Sequence, residues 1–204
     1  MPTQPETHLH HAAAFAHFME QFLGESDRAA VILGAAKVEY LLGELLDKYL
    51  RPTPAAVDDL LEGDAPVGTF SAKSKLCHRL GIIDDQFAKL LNTFRRLRNG
   101  FAHEVTPNSL DTGAARDRVA SLAEPFLSYP FFQLTRAKVA TQMKRDAADS
   151  GVVFRAVLSI FHIHLIGLQT GLRPVAPQGM PTISDLCKNA PLEIYAPPPA
   201  APPQ

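Results

Sequence analysis

Residues 87–103 read FAKLLNTFRRLRNGFAH, and this stretch decides the fold because its apolar residues recur at helical spacing. Wound at about 100° per residue, they all fall within about 60° of Phe94 and form one face. The other members of this face are Phe87, Leu90, Leu91, Leu97 and Phe101. A helix with one apolar face has to bury that face against other helices. The stretch therefore predicts a core helix of an all-α protein.

Three polar residues near the end of this helix are candidates for a functional site. The same winding puts Arg98 at about 40°, inside the apolar face, and puts Asn99 and His103 at about 140° and 180°. A guanidinium keeps its charge, so burying it without a partner would cost several kcal/mol. We therefore expect Arg98 to face inward and to bind an acidic side chain, a second subunit or an anionic ligand. Asp27 and Glu39 are candidate acidic partners.

Outside this stretch the chain shows further helical periods and no alternating strand pattern of convincing length. Capping residues and prolines set the expected ends of these helices. The predicted helices cover about 11–23, Ser26 to a point before Pro52, 71–81, 84 or 85 to 103, 114–127, and one or two helices over 136–172 with a break near Gly151. Together they predict an up-and-down bundle of about six helices.

Composition changes at both ends of the predicted bundle. Residues 1–10 carry two prolines and no apolar run, so we expect a disordered N-terminus without a secretory signal. Residues 11–172 form the predicted bundle. Residues 173–204 are rich in proline and end in APPPAAPPQ, which predicts an extended or disordered tail.

Charge and cysteine content exclude several classes of function. The chain of 204 residues has 20 Lys and Arg against 21 Asp and Glu, so it cannot coat DNA wholesale. Contact with nucleic acid would have to be local, and Arg95, Arg96 and Arg98 form the densest basic cluster. The two cysteines show neither a paired framework nor metal-binding spacing, which fits a protein of the reducing cytoplasm. We also expect no metal site and no cofactor.

Residues 152–172 are apolar and about as long as a bilayer span. They contain Arg155, His162, His164 and Gln169, which would be costly in lipid. We therefore predict a buried bundle helix and no membrane association. The two histidines lie two residues apart and so point to different faces, which argues against a shared metal ion.

The motif residues also carry a family resemblance. Arg98-Asn99-Gly100-Phe101-Ala102-His103 resembles the Arg-x4-His signature of the HEPN superfamily. Glu25–Val31, Pro66–Lys73 and Leu80–Ile83 precede it in an order that resembles the mannitol operon repressor family, a family with a HEPN-like helical fold. The resemblance spans roughly residues 20–172.

This resemblance implies a metal-independent endoribonuclease. The active-site residues would be Arg98, Asn99 and His103, with Arg95 and Arg96 binding RNA phosphates. A homodimer would bring two histidines and two arginines to one cleft. The ribose 2′-hydroxyl would attack the phosphate and leave a 2′,3′-cyclic product, so DNA would resist cleavage.

Other interpretations remain open at this point. The polar cluster can instead be structural or lie at a dimer interface, with Arg98 paired to a buried carboxylate. The nearer family implies a negative regulator of gene expression that acts without catalysis through RNA or a protein partner. The nuclease interpretation implies a toxin, defence or stress effector whose partner is an antitoxin. A plain dimeric scaffold is the third alternative.

Overall fold

The computed structural model describes residues 19–20, 22–53, 56–103 and 109–175, and most of these residues are helical, with no strand among them. The α-helices with both ends in these ranges are α1 Asp27–Tyr49, α2 Phe70–Arg79, α3 Asp85–His103, α4 Gly113–Ala123, α5 Pro130–Met143 and α6 Ser150–Gly171. The predicted all-α bundle of about six helices is confirmed. The chain divides into two units after Pro174, and all six helices belong to the first. The predicted disordered segment 1–10 and nearly all of the proline-rich tail lie outside the described residues.

Two helices begin where the sequence predicts, one after the cap Ser26 and the other after Asp84, which is one of two candidate caps. The Ser26 hydroxyl accepts a hydrogen bond from the backbone N–H of Ala29 at 3.2 Å, at the start of α1. The Asp84 carboxylate accepts one from the N–H of Phe87 at 2.7 Å, at the start of α3. Both side chains satisfy N–H groups that have no partner within the helix.

Two other boundaries differ from the prediction. The cap of α2 is Thr69, whose hydroxyl accepts from the N–H of Ala72 at 3.2 Å, so Ser71 lies inside the helix. Residues 136–172, for which one or two helices with a break near Gly151 are predicted, lie in two helices, and the first of these already starts at Pro130. It ends at Met143 and is followed by Lys144, which adopts a left-handed conformation with φ of 53°. Proline suits a first helical position because its missing N–H would have had no partner there.

A cluster of phenylalanines fills the centre of the bundle. Phe94 of α3 is fully buried and packs edge-on against Phe70 and Phe161, with ring centroids 6.1 Å apart in each pair. Helix α1 packs on α2, α3 and α6, and α6 also packs on α4 and α5. Gly34 lets α1 approach α6 closely, since a Cβ there would lie 2.8 Å from Leu158 Cδ2. The apolar face of the motif stretch thus lies at the core.

Helix α6 is long and apolar enough to cross a membrane, but 61% of its most apolar window is buried inside the bundle. This burial is what a core helix requires, so the prediction of a buried bundle helix is confirmed. His162 is buried and His164 is exposed, so the two histidines do point to different faces. The ring of His164 packs edge-on against Phe87, with centroids 4.7 Å apart.

The buried arginine of this bundle is Arg155 of α6, whose side chain is fully enclosed. Its Nη1 lies 3.3 Å from Asp27 Oδ1 and forms an ion pair. Its other hydrogen bonds go to the backbone carbonyls of Phe22 (3.4 Å), Glu25 (2.6 Å) and Gly151 (3.0 Å). Burial lowers the pKa of the guanidinium, whereas Asp27 opposes that shift by stabilising its charge. The paired arginine therefore holds the start of α1 against α6.

Cys77 of α2 is buried, and burial raises the pKa of its thiol to about 12. We expect this thiol to react with Ellman's reagent about a thousandfold more slowly at pH 8 in the native protein than after denaturation, because the thiolate is the nucleophile. Kinetics on a Cys187→Ser variant, in which Cys77 is the remaining cysteine, measure this directly. Equal rates with and without guanidinium chloride would show that the site is open.

Candidate functional site: an arginine cleft between α1, α2 and α3

Arg98 lies on the surface of α3, so the expectation that it faces inward is wrong. The buried stripe of α3 comprises Phe87, Leu90, Leu91, Phe94, Leu97 and Phe101. Arg98 borders this stripe, but a cleft opens beside it where neighbouring helices leave the helix uncovered. The angle around a helix axis cannot reveal where its neighbours stop along that axis. The guanidinium is therefore solvated and needs no buried partner.

The two acidic residues proposed as partners of Arg98 do not pair with it. Asp27 pairs with Arg155 and lies 3.7 Å from Arg145. Glu39 lines the same cleft as Arg98, yet no carboxylate of the described residues lies within ion-pair distance of Arg98. The polar contact of Arg98 runs from its Nη1 to Asn99 Oδ1 at 3.3 Å. Arg98 thus keeps most of its donors available to a ligand.

We call the opening beside Arg98 the arginine cleft. It has a volume of about 380 Å³ and lies between α1, the start of α2 and the second half of α3. Its polar side chains come from Arg95, Arg98 and Asn99 of α3, Glu39 of α1, and Thr69 and Ser71 at the start of α2. Apolar residues and a glycine complete its lining: Ile32, Ala35, Ala36, Gly68 and Phe70. The lining therefore combines polar side chains with small or apolar ones.

The first turn of α2 adds positive potential to the arginine cleft. Thr69 caps the helix by accepting from Ala72, and the remaining N–H groups of a first turn have no partner within the helix. Those groups and the helix dipole favour an anion near Ser71, which lines the cleft. Two arginines on the facing helix act in the same direction. Glu39 opposes them, so the cleft suits a ligand with both acceptor and donor groups.

The structure brings together some of the predicted site residues and separates others. Arg95, Arg98 and Asn99 share the arginine cleft. Arg96 is exposed on α3 and is not among the residues that line this cleft. His103 is exposed in the last turn of α3, one turn beyond Asn99, and does not line it either. Within one chain, the predicted active-site set therefore divides into residues that line the arginine cleft and an exposed histidine that lies outside it.

A second opening, which we call the histidine cleft, adjoins the first. Its volume is about 260 Å³, and its lining shares Phe70, Ser71 and Arg95 with the arginine cleft. The residues that belong to it alone are Ser74, Lys75, His78, Ala88, Leu91 and Asn92. His78 Nε2 lies 2.7 Å from Asp85 Oδ1. This hydrogen bond and the charge of His78 lower the pKa of the Asp85 carboxyl.

The histidine cleft is not among the predicted sites, although the sequence contains a pattern that points to it. Ser71, Ser74, Lys75 and His78 are spaced by three or four residues, which places them on one face of a helix. The sequence does not show that Asn92 and Arg95 of α3 are neighbours of these α2 residues. Only the packing of α2 on α3 brings the two sets together.

An apolar groove of about 390 Å³ lies between α5, α6 and residues 19–20. It includes Phe131, which is 54% exposed, and Leu134, which is 70% exposed.

Within the described ranges, no three or more His, Cys, Asp or Glu side chains are grouped so as to hold a metal ion. Comparisons with protein-family models, with curated proteins and with solved structures find no match for this chain.

Proposed function

We propose that this protein binds RNA through the arginine cleft and cleaves it without a metal ion, as a HEPN-like endoribonuclease. The observation that carries the proposal is that Arg95 and Arg98 line one open cleft together with the first turn of α2. Arginine donates two parallel hydrogen bonds to a phosphate, and a helix N-terminus favours the same charge. The cleft volume of about 380 Å³ is at the small end of ligand pockets, as a nucleotide unit requires.

RNA suits the arginine cleft better than a simple anion does. Glu39 would repel a bare phosphate, but its carboxylate can accept a hydrogen bond from a ribose hydroxyl or a base amino group. Asn99 can both donate and accept. A ligand that combines phosphate, hydroxyl and amide-like edges therefore matches the lining more closely. Single-stranded RNA presents all three.

The proposed chemistry follows from the motif residues. Arg98 would hold the scissile phosphate, and His103 would serve as proton donor or acceptor, because an imidazole side chain can perform either role. Because His103 does not line the arginine cleft of its own chain, we propose that a homodimer supplies the second set of residues. One His103 would accept the proton of the 2′-hydroxyl, whose oxygen forms the new bond to phosphorus, while the bond from phosphorus to the 5′-oxygen breaks and the second His103 of the dimer protonates that oxygen. We place this activity in the cytoplasm.

Incubation of labelled single-stranded RNA with the purified protein in EDTA tests this proposal. We expect cleavage to products that end in 2′,3′-cyclic phosphate, no cleavage of DNA of the same sequence, and a loss of about a hundredfold or more in His103→Ala, since general acid–base catalysis contributes that much. Equal rates in wild type and His103→Ala, or no binding of RNA at all, would contradict it. Lys138→Ala, which changes an exposed side chain on α5 outside the arginine cleft, is the control.

The alternative is a mannitol-repressor-like negative regulator that acts through a partner without catalysis. The exposed apolar side chains of Phe131 and Leu134 favour it, since apolar patches of this kind mark sites of protein interaction. The same assay separates the two functions. RNA that is bound at the arginine cleft and never cut would favour the regulator, whereas an antitoxin partner would accompany the nuclease.

A further inference from the structure

We propose that the histidine cleft is a second phosphate-binding subsite, which takes the neighbouring nucleotide of the same RNA strand that enters the arginine cleft. This inference rests on the proposed function, because it extends the RNA path from one cleft to the next. The two clefts share Phe70, Ser71 and Arg95 in their linings, so they lie side by side on the same surface.

The charges that line the histidine cleft are all of the sign that phosphate requires. Its ionisable side chains are Lys75, His78 and Arg95, and none of its described lining residues is acidic. Asp85 lies outside the lining, where it accepts the hydrogen bond from His78 Nε2 at 2.7 Å. That carboxylate orients the ring. The histidine cleft therefore repels an anion less than the arginine cleft, which contains Glu39.

Hydrogen-bonding groups accompany these charges. Ser71, Ser74 and Asn92 line the histidine cleft and can bond to phosphate oxygens or sugar hydroxyls. Asn92 Oδ1 accepts from Arg95 Nη2 at 3.0 Å, which positions the guanidinium that both clefts share. Along α3, the seven residues from Asn92 to Asn99 cover about 10 Å at 1.5 Å per residue. A strand that follows this helix meets the two clefts in succession.

Phe70 gives the shared boundary an aromatic side chain. It is partly buried, and its ring packs edge-on against Phe94, with centroids 6.1 Å apart. Single-stranded nucleic acids bind in basic grooves whose aromatic side chains stack on bases. We therefore place a base against Phe70, with one phosphate in each cleft.

Fluorescence anisotropy with a labelled single-stranded RNA of about eight nucleotides tests the second subsite. We expect Lys75→Ala to weaken binding about tenfold and to reduce the salt slope by about 0.7, the value for one lost phosphate contact on a single strand. His78→Gln, which keeps a hydrogen-bond donor for Asp85, should weaken binding to a similar extent. Lys138→Ala is the matched control, because it removes an exposed lysine on α5, outside both clefts.

A substitution that hardly changes the shape of the side chain distinguishes an effect on RNA binding from an effect on folding. Asn92→Asp retains the oxygen that accepts from Arg95 and adds a negative charge to the histidine cleft. We expect it to weaken RNA binding about tenfold as well. If Arg98→Ala weakens binding while Lys75→Ala and Asn92→Asp match Lys138→Ala, the second subsite is wrong and the proposed function stands. If the wild type binds no RNA, both fall.

Discussion

Asp27→Ala should destabilise the protein by about 3–5 kcal/mol, because it leaves the fully buried guanidinium of Arg155 without its ion-pair partner. Asp27 also accepts a hydrogen bond from the backbone N–H of Leu110 at 3.2 Å and lies 3.7 Å from Arg145. The substitution therefore loosens the start of α1 from α6 and from the segment before α4. Urea denaturation followed by circular dichroism measures the change in the free energy of unfolding.

Two further variants identify the cause of this loss. Asp47→Ala removes an exposed carboxylate from the same helix and should cost no more than about 0.5 kcal/mol. Asp27→Ala combined with Arg155→Met should be more stable than Asp27→Ala alone, because no unpaired charge is left inside. If Asp27→Ala were as mild as Asp47→Ala, the buried ion pair would contribute little to the fold.

Arg95→Ala combined with Arg98→Ala should weaken RNA binding by about a hundredfold or more. Each guanidinium is expected to donate charge-assisted hydrogen bonds to phosphate, and each such contact is worth about 1.5–3 kcal/mol. The loss of two phosphate contacts should also reduce the salt slope on a single strand by about 1.4. Titrations of labelled RNA at several salt concentrations give both quantities.

Stability should hardly change in this double variant, since Arg98 is exposed, Arg95 is partly exposed, and neither pairs with a described carboxylate. The control is Arg116→Ala combined with Lys138→Ala, which removes the same charge from exposed positions on α4 and α5. If both double variants weakened RNA binding equally, net charge and not the arginine cleft would drive the interaction. A thermal melt on each protein excludes loss of folding.

The comparison of Arg98 with Arg155 shows how far the sequence could predict the site. The same physical rule, that a buried guanidinium needs a partner, applies to both. The prediction applies it to Arg98, which borders an apolar stripe, although Arg155 stands in a stretch where Val152 to Leu158 are otherwise apolar. Asp27 does pair with an arginine, but its partner is Arg155 and not Arg98. Sequence position alone cannot show which of two arginines the neighbouring helices cover.

The sequence by itself determined the helical class, the start of α1 after Ser26 and the burial of most of α6. These features depend on local spacing and on hydrophobicity, which each segment carries independently of the others. Only the tertiary structure decided that Arg95 and Arg98 share a cleft, that His103 lies apart from it, and that Lys75 and His78 lie beside Arg95. Those relations depend on how far α1 and α2 extend along α3. Helical periodicity specifies the direction in which a side chain points, but it does not specify whether a neighbouring helix covers that side chain.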